Sequence, residues 1–268
     1  MIAGLEQERG STRIASLAPR FECKYCVPST EAEAALRVAR LFLDIDRAVW
    51  PEASAGGAIP TQRLTSLYLD SPARTFYGWH VAGRASRFKL RLRRYSVGQT
   101  DVAWAEVKHK VEGRVLKTRA PVPLGVVASL EHGEVSRLPC ATDTDPALED
   151  FLARLRAFEA RAQVMLRCDR RAVRGNGSDR AVGVTVDTGL GFLAGSRLSL
   201  LDVPTGGWHP LLPPYDGREA TAIVELKHGG TPPVWMRRVM TRLAQWQRSY
   251  SKYVAAMQAA AVLEGGRR

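Results

Sequence analysis

Hydrophobic and polar positions alternate at period two in several short runs along the chain. Phe21-Glu22-Cys23-Lys24-Tyr25 places Glu22 and Lys24 on one strand face and the rings on the other, and Pro28 ends the run. Thr30 with Glu33 three residues on reads as a capping box, opening an amphipathic helix to about Asp46 with Leu36, Ala39 and Leu43 on one side. Residues 61–70 predict a second strand after a Pro/Gly-rich loop, and residues 72–81 a turn or short helix. In Arg87-Phe88-Lys89-Leu90-Arg91-Leu92-Arg93 every odd position is basic and every even one apolar. Residues 104–111 and 114–120 continue the alternation across short turns, so antiparallel pairing is predicted. Asp145-Pro146 starts a helix with an apolar stripe of Leu148, Phe151, Leu152, Leu155 and Phe158. Strands resume at 164–173, 181–190 and 221–227, with a weaker one near 198–203, which makes about eight. From Pro233 the pattern is helical, and Trp235, Val239, Leu243, Trp246, Tyr250 and Tyr253 form a core stripe.

The chain has 268 residues, with 39 Lys and Arg against 27 Asp and Glu, a net charge of +12. That surplus points to an anionic partner without choosing one. Only seven of the basic residues are lysines, Lys24, Lys89, Lys108, Lys110, Lys117, Lys227 and Lys252. Exposed Lys is replaced by Arg at little cost, so the retained lysines mark sites where a compact ammonium matters. No stretch has the ~18 to 20 apolar residues of a membrane-spanning helix. Residues 1–19 lack the apolar run of a secretory signal and read as a loose tail, so a cytoplasmic location is expected. Residues 20–256 read as one domain without repeats, and 257–268 as the end of the last helix and a tail. Cys23-x-x-Cys26 has no second pair and lies in a strand, where i and i+3 face apart, so with Cys140 and Cys168 it reads as reduced thiols.

Charged faces recur on Glu22/Lys24, Lys89/Arg91/Arg93, Glu106/Lys108/Lys110, Lys117/Arg119 and Glu225/Lys227, each backed by an apolar face. A sandwich would leave such faces wet. A closed antiparallel barrel of about eight strands with helices packed outside, an α+β fold, gathers them around one small-ligand space instead. Burying that many cations costs several kcal/mol per ion unless the interior holds water and a multivalent anion. Basic walls therefore predict a phosphate chain.

The ordered set Phe21–Tyr25, Ser66-Leu-Tyr-Leu-Asp70, Lys89-Leu-Arg-Leu-Arg93, Glu106-Val-Lys108, Lys117-Thr-Arg119, Val184-Thr-Val-Asp-Thr188, Glu225-Leu-Lys227 and Ser251-Lys-Tyr253 resembles the VTC domain, the polyphosphate polymerase branch of the triphosphate tunnel metalloenzymes. The resemblance implies a tunnel barrel that binds a nucleoside triphosphate and, with Mn²⁺ or Mg²⁺, transfers its γ-phosphoryl group to polyphosphate. It implies catalytic roles for Lys24, Arg91, Arg93, Lys108 and Glu225, with Glu225 as the metal ligand. Substrate binding is implied for Lys89, Lys117, Arg119, Arg171, Lys227 and Lys252. Two positions depart from the pattern. Gly183 stands where the family usually has an Arg, with Arg180 the nearest substitute. Arg20-x-Glu22-x-Lys24 lacks the first Glu of the hydrolase branch, which argues against two-metal hydrolysis.

The alternatives are a tunnel phosphatase or cyclase and a non-catalytic sensor of polyphosphate or nucleotide. A nucleic-acid binder fits least, since its cations would share an exposed face with stacking aromatics. There is no phosphate-binding G-x-x-x-x-G-K-[ST] loop, H-E-x-x-H or G-x-S-x-G motif, and the five histidines read as turn or surface residues. A membrane-protein partner holding the chain at the inner face of a membrane is compatible with this reading, and oligomeric state leaves no mark on the sequence.

Overall fold

The computed structural model describes residues 21–45, 57–98, 101–112, 114–134, 145–195, 198–211, 214–215 and 218–265; Arg20, Cys140 and the predicted N-terminal tail lie outside them. In chain order the elements are β1 (Phe21–Val27), α1 (Ser29–Arg40), β2 (Asp44–Ile45), β3 (Gln62–Asp70), α2 (Thr75–Val81), β4 (Ser86–Tyr95), β5 (Val102–Val111) and β6 (Arg114–Pro123). There follow α3 (Leu124–Glu131), α4 (Pro146–Ala157), β7 (Arg161–Arg174), β8 (Gly183–Ala194), β9 (His209–Pro210), β10 (Pro214–Tyr215), β11 (Arg218–Glu219), β12 (Ala222–His228), α5 (Val234–Leu243) and α6 (Lys252–Gly265).

Eight strands form the main sheet in the order β1-β12-β8-β7-β3-β4-β5-β6, antiparallel throughout. Among the described residues no backbone ladder joins the edges β1 and β6, so hydrogen bonds do not close the sheet into the expected barrel. It is nonetheless strongly curled. Lys108 Nζ of β5 donates to Glu22 Oε2 of β1 at 2.7 Å across six strand positions, which on a flat sheet would lie about 29 Å apart at ~4.8 Å per strand.

Period two decides what each face meets. In β4, Phe88, Leu90 and Leu92 point outward into a core shared with α2, α3 and α4, while Lys89, Arg91 and Arg93 point inward. On the other flank Tyr25 and Val27 of β1 and Val224 and Leu226 of β12 pack outward against α1 and α5. One end of the inner face is apolar and covered by α6, whose Tyr253, Ala256, Met257 and Ala260 pack on Tyr68, Leu166, Leu190 and Ile223. Met257 and Ala260 of α6 are buried, and the helix continues to Gly265.

The switch from charged to apolar along β8 needs a change of parity. Gly189 supplies it at φ +57°, beside the register shift opposite Arg167 and Asp169, so Asp187 faces inward before it and Leu190 and Phe192 after it.

Four local expectations are corrected. α1 starts at Ser29 without a side-chain cap, and Glu33 reaches out to Arg171 instead of closing a capping box. It stops at Arg40, where the Phe42 and Leu43 amides both bond to the Ala39 carbonyl and Asp44–Ile45 leave to pair with β7. Residues 198–203 form no strand; Leu200 is buried, its N–H donated to Glu131 Oε1 at 2.7 Å and its carbonyl accepting from Arg94 at 2.8 Å. The C-terminal stripe is broken, since residues 247–251 leave the helical path between Trp246 and Lys252. The predicted start at Asp145-Pro146 is present, with Asp145 Oδ1 accepting from Ala147 N at 2.8 Å.

Candidate functional site

The basic half of the inner face encloses a cavity of about 1790 Å³. All seven lysines line it, whereas only eight of the 32 arginines do. Against these fifteen cations stand three lining acids, Glu22, Asp145 and Glu225. Strand register sorts the cations into rows across the curl. Lys89, Lys108 and Lys117 are direct cross-strand neighbours on β4, β5 and β6, and Arg91, Glu106 and Arg119 form the next row. Like charges placed directly opposite destabilise a sheet, so the lysine row exists at a cost that an anion in the cavity would remove.

Two buried carboxylates hold much of this charge in place. Glu106, fully buried, accepts from Arg91 at 2.5 Å, pairs with Lys117 and lies 3.8 Å from Arg93. Burial pushes its carboxyl up, and Arg91, Lys117 and Arg93 outweigh that, holding it well below the usual carboxylate range. Arg91 also donates to the Tyr68 hydroxyl at 2.9 Å and Arg93 to Ser66 Oγ at 2.9 Å, so both guanidinium groups are fixed. The second carboxylate, Asp187, accepts both arms of Arg170 at 2.6 and 2.7 Å and pairs with Lys252 at the start of α6.

The break between α5 and α6 brings further groups to the cavity. Arg248 N bonds to the Lys24 carbonyl, Lys24 Nζ donates to the Tyr250 carbonyl at 3.1 Å, and Lys89 Nζ donates to Ser251 Oγ at 2.7 Å. Among the described residues no carboxylate pairs with Lys89. Burial, then Lys24, Lys108, Arg91 and Arg87, push its ammonium well below the usual lysine value. Lys117 is pushed down to about 7, first by burial and then by Arg91 and Arg93 against the pull of Glu106.

Glu225 is buried opposite Lys24 and Thr185 in the ladder, and its shortest ion pair, to Lys227, is long at 3.8 Å. Burial raises its pKa, and Lys227, Lys24, Lys108 and Arg170 more than reverse that. Glu106, Asp187 and Glu22 each have a cation at hydrogen-bond distance and Asp145 caps α4, whereas Glu225 keeps lone pairs to offer a cation. One such carboxylate plus phosphate oxygens is a usual donor set for Mg²⁺ or Mn²⁺, so the residues fit a phosphate-bridged metal at Glu225.

Lys24, Lys89, Arg91, Arg93, Lys108, Lys117, Arg119, Glu225, Lys227 and Lys252 all line the cavity. Arg171 does not. It pairs with Glu33 of α1 on the outer side of the sheet, and its neighbour Arg170 occupies the inward position. Gly183 lies between Lys227 and Arg174 in the ladder, and Arg174 is among the residues that line the cavity whereas Arg180 is not. The reading of sequence missed the anchoring roles of Glu106 and Asp187, whose one signal was a carboxylate on the cationic parity of its strand. His80, read as a surface residue, lines the cavity, where burial and then Lys89 push its pKa down to about 4.

The family model of the VTC domain matches residues 19–261, and the chain belongs to that family. No curated protein matches it. Similar solved structures include a candidate adenylate cyclase from Vibrio parahaemolyticus, 13% identical with a TM-score of 0.43 over 89% of this chain and 97% of that one. Another is a candidate adenylyl cyclase from Hippeastrum with a dominant triphosphatase activity, 12% identical with a TM-score of 0.42 over 91% and 96%.

Proposed function

We propose that the cavity binds a nucleoside triphosphate and transfers its γ-phosphoryl group to the end of a polyphosphate chain, as a metal-dependent polyphosphate polymerase. The observation that carries this reading is the cross-strand row Lys89, Lys108 and Lys117, in which Lys89 has no carboxylate partner among the described residues, inside a cavity to which every lysine of the chain contributes. A terminal phosphate oxygen of the acceptor attacks the γ-phosphorus, the bond to the β–γ bridging oxygen breaks, and the nucleoside diphosphate leaves with that electron pair. The attacking oxygen is already an oxyanion, so no protein base is needed. Positioning and charge neutralisation supply the catalysis. Arg91 and Arg93, fixed by Glu106, and Arg170 and Lys252, fixed by Asp187, present donors that need little reorganisation. Glu225 would hold Mn²⁺ or Mg²⁺, which when bound neutralises charge on the phosphate oxygens.

The test is incubation of purified protein with ATP and Mn²⁺ followed by sizing of the phosphate products. Chain growth supports the proposal. Release of orthophosphate alone would instead indicate a triphosphatase, and absence of ATP binding would remove the substrate class. Lys24→Ala is expected to weaken ATP binding about ten- to hundredfold by calorimetry, since it removes one charged contact worth ~1.5 to 3 kcal/mol.

The lowered pKa of Lys117, about 7, predicts proton uptake on binding. A bound phosphate favours the ammonium and raises that pKa, so at pH 8 the complex holds more protons than the free protein. Affinity then falls as pH rises above 7. Calorimetry in two buffers of different ionisation enthalpy checks the sign, and proton release would contradict it.

A further inference from the structure

Trp104 is an indole set among charged side chains. It lies on the inward, charged parity of β5, between Arg93 on β4 and Pro121 on β6, and lines the cavity. Trp79, Trp208, Trp235 and Trp246 all pack into or against apolar clusters, and Trp104 belongs to none of them. Its ring is held from one side by Arg119, whose guanidinium carbon is 4.3 Å from the ring centroid. On β4, Arg93 lies 6.0 Å from the ring of Tyr95 in the same strand, so two aromatic–Arg pairs border this end of the cavity.

We infer that Trp104, backed by Arg119, is a stacking subsite for the nucleobase, and that the bound nucleotide lies along β5 with its base at this end. The inference rests on the proposed nucleoside triphosphate site and adds its direction. From Trp104 to Lys108 is four residues, about 13 Å of strand, which accommodates a nucleoside and its phosphate tail. The tail then passes Arg91 and Arg119 and ends at the row Lys89, Lys108 and Lys117, on the side where Lys108 and Lys24 act on Glu225. Glu225, the residue that would hold a metal, would then lie toward the terminal phosphate. Every base has a π-face, so stacking of this kind selects a nucleotide over a bare phosphate chain with little choice among bases, purines ahead of pyrimidines.

The discriminating pair of ligands is ATP and inorganic tripolyphosphate, titrated calorimetrically in EDTA so that no turnover intervenes. Trp104→Ala is expected to weaken ATP about tenfold and leave tripolyphosphate where it was, with Trp104→Phe recovering most of the ATP affinity. Equal loss for both ligands, or none for either, overturns the subsite. ATP should also quench tryptophan emission where tripolyphosphate does not, and the quench should vanish in Trp104→Phe; a quench that survives the substitution overturns it as well. If the parent binds neither ligand, the failure lies with the triphosphate reading itself.

Discussion

Glu225→Gln is expected to lower polyphosphate synthesis by at least about a hundredfold, some 2.7 kcal/mol of transition-state stabilisation, while the protein melts close to the parent. The substitution keeps the size of the side chain and removes one charge from a position whose nearest cation, Lys227, is 3.8 Å away. Little structure depends on that long pair. ATP binding in EDTA should hold or tighten, because a carboxylate close to the phosphate path repels it. In Mn²⁺ titrations the variant should need far more metal for any residual turnover. Parent-like activity in Glu225→Gln would remove the metal assignment, and a large drop in melting temperature would show that Glu225 is chiefly a counter-ion for Lys227 and Lys24.

How much of this was legible depends on whether both faces of a strand carry charge. In residues 87–93 of β4 every charge has one parity and every large apolar residue the other, so Lys89, Arg91 and Arg93 could be assigned to the interior from spacing alone. In β7 arginines occur on both parities, at 161, 167, 170, 171 and 174, and the pattern gives no reason to choose Arg170 over Arg171. The choice is made by Asp187 across the ladder and Glu33 on α1, neither of which local sequence reveals. The broken C-terminal stripe has a similar cause. Trp246, Tyr250 and Tyr253 keep helical spacing, but Gln247 bridges to Tyr25 and Arg248 N bonds to the Lys24 carbonyl, tertiary bonds that compete with the helix. Lysine usage was the better guide, because in a chain that spends Arg on its surface each retained ammonium lines the cavity. Backbone closure between β1 and β6 depends on chain geometry far apart in sequence, where alternation is silent.

Glu106→Gln is expected to cost the unliganded protein about 3 to 5 kcal/mol, since it leaves Arg91, Arg93 and Lys117 buried together without the charge that compensates them. At roughly 2 to 4 °C per kcal/mol for a domain of this size, the melting temperature should fall by on the order of 10 °C in low salt. Tripolyphosphate should return much of the loss, because an anion that binds only the folded state stabilises it by mass action and here also replaces the missing counter-charge. Glu31→Gln is the control, removing a bidentate pair with the exposed Arg242 and expected to change little. A Glu106→Gln protein that melts with the parent in low salt would mean that water already neutralises these cations. The inner face would then be an ordinary solvated surface, and the case for a built polyanion site would fail with it. A variant rescued by tripolyphosphate but not by an equal ionic strength of chloride would show the opposite: the fold carries Glu106 as an internal stand-in for the phosphate its cations are arranged to receive.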